Sequence, residues 1–545
     1  MCWCTALAAA PVAGGRWPPP FSRRRQSSIR AETPPGAEAR RKKVAVAGAG
    51  WAGLAAAHHL VKQVSLLVLV PDHSYSYRLP AFRFVAPRTL SCGAIRAHRQ
   101  LARRRAAACL LLLFVVTRDT MSRFSRRTAA QGRRSVSEAE FPVFHDQPRL
   151  PAPFGIFAYP EFPSLPLIDR LTSIPVLSAV IDFDNTDTAW RKYDTITARQ
   201  LFKMFGCSQR LYKEIFEPAI QAALFAPGEQ CSAAATLGML YYYMLSRQEN
   251  SDFVLCRGEV EDAIFSPWLK TLEQNGIKFI ANRVPTSLTI NKDTECVSEV
   301  VCGEEVYDTD AFVLATGLSP LQSIIRNSPF LQSRQEFTDL LHLSTIDVIS
   351  VKLWFDKKVT IPKVANICSS FDDLSGWTFF DLTSVYDDYS DEPGTVVEAE
   401  FYNASHLFPL NDQQIVSEAS SCLIKCIGDF EGSTVIQQFV KRSPGSAMHF
   451  LPGSYKHTVR GTTSIPNLFI AGDWIVNRHG SFSKEKAYVT GLEAANMTVD
   501  YFGDGDFAKI IAVEGDEPHI ETVRDLNRRA NELKTQIPFS EFFLQ

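Results

Sequence analysis

A short apolar strand that breaks on a glycine-spaced turn constrains this chain more than any other feature. Val44-Ala-Val-Ala47 is followed by Gly48, Gly50 and Gly53 in the spacing G-x-G-x-x-G, and Leu54 to Gln63 is rich in Ala and Leu. The run reads as a buried parallel strand, a tight turn and a helix. Gly48 permits the turn, Gly50 lets the backbone approach a pyrophosphate, and Gly53 lets the helix pack closely on the strand. Ala49, Trp51 and Ala52 complete the backbone of this cradle. The helix N-terminus offers unpaired N–H groups and a partial positive charge to phosphates. A chance Gly-rich loop is the bland alternative, and the strand before and helix after argue against it. Val64 to Val70 reads as the second strand, which should end in an acid that holds the ribose hydroxyls. Pro71 sits near that place and Asp72 follows, so Asp72 reaches the ribose if the strand shifts by one residue.

More than four hundred residues later comes Asn467-Leu-Phe-Ile-Ala471-Gly472-Asp473-Trp474, then the helical run Glu485 to Ala495. A Gly-rich turn alone serves any dinucleotide. The same turn paired with a late apolar strand, a Gly-Asp and a second helix points to FAD. In Asp310-Ala-Phe-Val-Leu-Ala-Thr-Gly317 another buried strand ends on a small-residue turn suited to close approach by a cofactor.

From Arg78 to Arg134 the composition changes abruptly, with 14 Arg, no Lys and one acid, Asp119. No period persists through it. A basic surface for RNA or anionic lipid is one reading, but no nucleic-acid module accompanies it. The preferred reading is a retained intron or frame-shifted exon, a segment never selected for folding. Elsewhere acids and bases balance, and the net charge is only −2. No apolar run reaches the length of a membrane helix. The 12 Cys show neither C-x-x-C pairs nor zinc spacing, so no metal site is expected. Cys422 and Cys426, one helical turn apart, read simply as a helix face. Met1 to Arg30 is rich in Ala, Ser, Pro and Arg and has no acid, the composition of an organelle transit peptide; a disordered tail is the alternative.

The remaining chain divides as follows. Residues 1–43 form the leader. A flavin domain is assembled from 44–72, 256–325 and 460–500. The Arg-rich segment, 73–139, is expected to be poorly ordered. A substrate domain comprises 140–255 and 326–459, and 501–545 is a C-terminal tail. The expected fold is α/β, a Rossmann-like FAD-binding domain built from separated segments with an interleaved α+β substrate domain. Within it, Ala198 to Phe225 has helical spacing, and Cys231 to Ser246 reads as an apolar helix for core packing or a substrate tunnel. An amphipathic helix ends at Gly276, and Lys278 begins a strand running toward Val284. Residues 344–356 alternate and read as a strand with one wet face. Ile415 to Phe430 reads as a helix.

Gly48-x-Gly50-x-x-Gly53, Arg257-Gly258 before a helix, Ala315-Thr-Gly317 and Ala471-Gly472-Asp473 with its closing helix occur here in the order seen in the flavin amine oxidase superfamily. Within it the chain most resembles the plant and cyanobacterial phytoene and zeta-carotene desaturases, over roughly residues 42–63 and 140–500. The resemblance implies that Gly48, Gly50 and Gly53 hold the pyrophosphate and that Val284 contacts adenine through its backbone. It implies that Asp473 bonds the ribityl or pyrophosphate region, and that the helix near Tyr488, Val489, Gly491 and Leu492 points N–H groups at the flavin ring. The family's later Gly-Gly-Arg stretch has no clear match.

The reading is therefore FAD-dependent dehydrogenation of an apolar organic substrate, drawn through an apolar tunnel by a peripherally membrane-bound plastid (chloroplast) protein. The resemblance makes a quinone the electron acceptor. No nucleic-acid partner is expected. His479 and Lys484 are candidate acids or bases beside the ring, and a surface loop is the plainer account of both. The rival readings are cis–trans isomerisation of a polyene, oxidation of an amine or porphyrinogen, and a flavin-less product of a faulty gene model.

Overall fold

The structure is a computed structural model that describes residues 42–70, 136–138, 166–241, 254–362, 364–368, 375–479, 484–511, 516 and 518–536. Asp72, residues 1–41 and the Arg-rich segment up to residue 135 lie outside the described residues, and Lys43, read as part of the leader, instead begins the first strand.

The chain forms β1 (Lys43–Ala47), helix α1 (Trp51–Leu60) and β2 (Ser65–Val70). A three-residue strand β3 (Val136–Glu138) pairs antiparallel with β4 (Val254–Cys256). Helix α2 (Glu217–Leu224) precedes helix α3 (Ser266–Gln274), which is followed by β5 (Lys278–Ala281). A small antiparallel sheet, β6 (Ser287–Ile290), β7 (Val297–Cys302) and β8 (Glu305–Asp308), leads into β9 (Ala311–Leu314). Then come β10 (Ser344–Phe355), β11 (Ala365–Cys368), β12 (Trp377–Asp381) and β13 (Val396–Tyr402). Helix α4 (Asp412–Cys426), β14 (Val435–His449), β15 (Leu468–Ile470), α5 (Lys484–Phe502) and α6 (Pro518–Gln536) follow, with shorter helices between these elements.

The first large sheet has the order β15-β9-β1-β2-β5, and all its neighbours pair in parallel. Its five strands come from four separated stretches of chain. β1 sits at the centre and is buried along its length from Val44 onward, so it must be apolar on both faces. Helix α1 is buried over most of its length, at Ala52, Leu54, Ala55, Ala56, Ala57 and Leu60, and exposes His58. Two layers enclose this helix. A Cβ on Gly491 of α5 would sit 2.1 Å from the Ala52 carbonyl oxygen, so α5 crosses α1 at glycine distance. On another side Trp51 meets Phe265 edge-on at 5.1 Å and Trp268 at a tilt at 6.0 Å. The Trp268 indole N–H donates to His58 Nδ1 at 3.1 Å.

The second large sheet is antiparallel, in the order β11-β12-β13-β10-β14. One face is a hydrophobic core of Ile349, Val351, Leu353, Phe379, Ala399 and Phe401, covered by Ile415, Ala419 and Leu423 of α4. The expected wet face of 344–356 is corrected here. Ser350 and Lys352 on the opposite face are buried, because the sheet's second face is enclosed as well.

Other expectations are adjusted. Ala198 to Phe225 is not one helix. It breaks at Gly206, whose φ of +72° ends the first helix (Ala198–Met204), and resumes as short helical turns before α2. The strand begun at Lys278 stops at Ala281 because Asn282 turns left-handed (φ +57°), leaving Val284 three residues beyond and exposed. Gly276 closes α3 with φ +95°. The described part of the helix expected from Cys231 is Ala233–Leu240, buried throughout. The stretch read as a tail contains α6. Its Arg524 is buried, donates from Nε to the Ile181 carbonyl at 2.8 Å and pairs with Asp516.

Candidate functional site

Strand register brings the three small-residue turns to one edge of the parallel sheet. Ala47 lies opposite Leu314, and Leu314 lies opposite Ile470. The Ala315 N–H donates to the Ala47 carbonyl at 2.8 Å, and the Ala471 N–H to the Leu314 carbonyl at 2.9 Å. Gly48–Gly50, Ala315–Gly317 and Ala471–Asp473 therefore stand side by side at the carboxyl ends of their strands, where open α/β sheets bind ligands. The Trp474 indole N–H donates to the Thr316 carbonyl at 3.2 Å and joins the second turn to the third.

The first turn is shaped by sterics. Gly48 has φ +108°, and a Cβ there would lie 2.3 Å from the Ala315 carbonyl oxygen. A Cβ on Gly53 would lie 1.9 Å from the Gly48 carbonyl oxygen. Gly50 caps α1 with no side-chain hydrogen bond, so the helix presents bare N–H groups at the sheet edge. Ala49 and Ala52 are buried, and the Trp51 side chain packs on Phe265, which leaves only its backbone to a phosphate. The Thr316 hydroxyl is buried at the same edge with no hydrogen-bond partner among the described residues. A bare helix N-terminus, a cradle that a methyl would fill and an unsatisfied hydroxyl fit the diphosphate of a dinucleotide.

At the third turn, the Gly472 N–H donates to Thr490 Oγ1 at 3.0 Å, tying the turn to α5. Asp473 is partly buried, and burial lifts its carboxyl to about 6 against the opposing charge of Lys486. Lys486 is buried, and burial lowers its amine to about 8 although Asp473 and Glu493 oppose this. Lys486 also lines a cavity with Trp190, Asp194, Tyr455, Trp474 and Asn477. Trp190 and Tyr455 are stacked there, with centroids 5.1 Å apart.

The resemblance assigns Tyr488, Val489 and Gly491 a direct N–H role that the helix geometry contradicts. They lie inside α5, past the first turn, where backbone N–H groups are spent on the preceding carbonyls. Tyr488 packs near Trp268, Val489 is buried, and Gly491 makes room for Ala52. The surface-loop account of His479 is also corrected. The side chain is buried, its Nδ1 has no partner among the described residues, and burial pushes its pKa down to about 4. Lys484, at the head of α5, is half-buried.

A polar face of the second sheet escaped the sequence reading. Lys352 stands opposite Glu398, and Ser350 opposite Glu400. All four are buried. Lys352 Nζ lies 3.0 Å from Glu259 and 3.6 Å from Glu398, and those charges keep it protonated despite burial. Burial raises Glu398 to about 8 and Glu400 to about 7. Lys484 is close enough to Glu400 for its charge to oppose that rise. Glu400 Oε2 accepts from the Tyr402 hydroxyl at 3.2 Å, and Oε1 has no hydrogen-bond partner among the described residues. The only sequence signal was the alternation of 344–356, read as a strand with one wet face. No group of three or more metal-ligating side chains occurs among the described residues.

Residues 122–497 match the model of the flavin-containing amine oxidoreductases. The chain belongs to that family. The matched region begins inside the Arg-rich segment and leaves the first glycine turn outside it. The family is one of flavin-containing oxidoreductases, and the chain is an enzyme of that family. It is similar to the 15-cis-phytoene desaturase of Synechococcus elongatus, at 20% identity over 66% of this chain and 78% of the relative. Identity to the chloroplastic/chromoplastic 15-cis-phytoene desaturase of Capsicum annuum is 21%, over 56% of this chain; the match spans about half the length of such plant relatives, 53% in this case. Among solved structures, cyclohexylamine oxidase from Brevibacterium oxydans superposes with a TM-score of 0.59 at 12% identity, over 85% of this chain and all of that one. Putrescine oxidase bound to putrescine gives 0.56 at 15% identity, over 85% and 99%. At such identities the likeness is one of fold.

Proposed function

We propose that the chain binds FAD and dehydrogenates an apolar organic substrate in the manner of a carotenoid desaturase. The observation that carries this is the meeting of three turns from distant parts of the chain at one sheet edge, in a chain whose curated relatives include phytoene desaturases. In this reading Gly48, Gly50 and Gly53 with the N-terminus of α1 hold the pyrophosphate, and Val284 lies beyond the carboxyl end of β5 on the adenine side. Asp473 faces the ribityl region, with Lys486 behind it. Bound FAD supplies a two-electron acceptor for a C–H bond. Glu400 takes the proton that leaves the neighbouring carbon, because its free oxygen and raised pKa suit a base working near neutrality. Lys484 moderates the charge that Glu400 carries.

Residues 44–72, 256–325 and 460–500 make the flavin domain, and the second sheet with its helices makes the substrate domain. Peripheral membrane contact is supported by Ile168, Leu171 and Ile174, which are exposed at 70, 47 and 52% within one short stretch. No helix among the described residues is long and apolar enough to cross a membrane. A plastid location is supported by the plant relatives and the acid-free leader, and a quinone is the electron acceptor we assign.

The buried ionisable groups of Lys352, Glu398 and Glu400 favour a second reading, oxidation of an amine or porphyrinogen, whose polar groups they suit. A decisive experiment begins with the purified chain and a version lacking residues 73–135, measuring bound flavin in each. The flavin-loaded form is then given 15-cis-phytoene in liposomes with a quinone, or a panel of amines and a porphyrinogen in air. Loss of two hydrogens from phytoene supports the desaturase reading. An unchanged mass with altered geometry indicates isomerisation, and hydrogen peroxide release indicates the second reading. A folded but colourless protein in both forms defeats every redox reading.

A further inference from the structure

Cys422 and Cys426 occupy one side of α4, one helical turn apart, and their surroundings differ. Cys422 is buried in the core beneath the second sheet, whereas Cys426 ends the helix and is exposed. The partner of Cys426 comes from another element. Cys368, the last residue of the edge strand β11, places its Sγ 4.0 Å from Cys426 Sγ. Two thiols from a sheet edge and a helix end thus touch across the rim of the core, one facing solvent and the other buried.

We propose that Cys426 and Cys368 form a thiol–disulfide exchange site, with Cys426 as the attacking thiolate and Cys368 as the resolving thiol, whose reaction partner is a small disulfide in solution. Attack by Cys426 on a glutathione-type disulfide forms a mixed disulfide and releases one thiolate. Cys368 then loses its proton and attacks the Cys426 sulfur, forming the internal disulfide and releasing the second thiolate. The protein loses two hydrogens, and the small disulfide becomes two thiols. The approach required is small: the sulfurs close from 4.0 Å to the roughly 2 Å of a bond by side-chain rotation. The Cys368 hydrogen bond and the Lys425 charge lower the Cys426 thiol to about 7, while the same contact and burial push Cys368 up. This asymmetry matches the roles of nucleophile and resolver. The bond would pin the free edge of the second sheet to the end of α4.

The test uses the reduced full chain and glutathione disulfide as the probe. Free thiols are alkylated after exposure and the peptides are mapped by mass. A cross-linked peptide joining Cys368 to Cys426, with both thiols lost to alkylation, supports the proposal. C368S should halt at a glutathione adduct on Cys426, and C426S should leave Cys368 fully alkylatable under denaturing conditions. C422S should still form the cross-link, and a native circular dichroism spectrum certifies each variant as folded. In the unsubstituted chain, a Cys422–Cys426 cross-link, or no loss of the Cys426 thiol in excess glutathione disulfide, overturns the proposal. The rate of Cys426 alkylation should be half-maximal near pH 7; a midpoint above pH 8 denies it the attacking role.

Discussion

At the scale of single residues, the turn after β1 is a steric device. Gly48→Ala must hold an L side chain at φ +108° and push a methyl into the Ala315 carbonyl. Such strain costs about 1–3 kcal/mol, and the displaced turn should release flavin. Absorbance of the purified variant near the flavin bands, beside its melting temperature, checks both effects. Glu400 makes a different prediction. Its pKa is raised from 4.5 to about 7, so the folded protein binds the extra proton between those values. The stability this confers is complete below about pH 4.5 and is lost as pH rises through 7, with a ceiling on the order of 3 kcal/mol. Glu400→Gln removes the titration, so its melting temperature should fall less than that of the unsubstituted chain between pH 5 and about 7.5. Equal slopes for the two proteins would mean that Glu400 does not titrate in that window.

At the scale of elements, two contacts carry the architecture. Gly491 lets α5 cross α1, and Gly491→Ala drives a methyl to 2.1 Å from a backbone carbonyl that has no rotamer with which to yield. The expected loss is about 1–3 kcal/mol, as for other overpacked contacts, read as a lower denaturation midpoint. β13 and β10 carry the buried ions. Lys352→Met leaves Glu259 and Glu398 without their cation and should cost roughly 3–5 kcal/mol. The double variant Lys352→Met with Glu398→Gln should recover part of that loss. A double variant no more stable than Lys352→Met alone would show that the pair is not coupled. Sequence period identified β10 as a strand. Its exposure could not be read from that period, because alternation records that two faces differ and is silent on what covers the polar one.

At the scale of the whole molecule, the chain is held by contacts between its distant parts. α6 is anchored by Arg524, which pairs with Asp516 and donates to the Ile181 carbonyl, while Asp516 accepts from Tyr241 at 2.7 Å. Arg524→Ala strands Asp516 and should destabilise by about 3 kcal/mol. Thermal melting of that variant, compared with a chain ending before residue 518, separates the anchor from the rest of the helix. The parallel sheet has a comparable logic. β1, β9 and β15 are separated by hundreds of residues, yet their last residues are in register, and that alignment creates the edge proposed for the cofactor.

The glycine spacing, the late Gly-Asp and the apolar strands were legible in the sequence because each reflects a local steric or periodic demand. Gly48 and Gly53 could be nothing larger, and β1 had to be apolar throughout. Tertiary structure alone decided which N–H groups of α5 are spent, why Gly491 is a glycine, and that His479 is buried. It also decided that Lys352, Glu398 and Glu400 are buried and that Cys426 meets Cys368 rather than Cys422. Each of these depends on a neighbour supplied by a remote segment, and one-dimensional spacing carries no record of which remote segment will arrive.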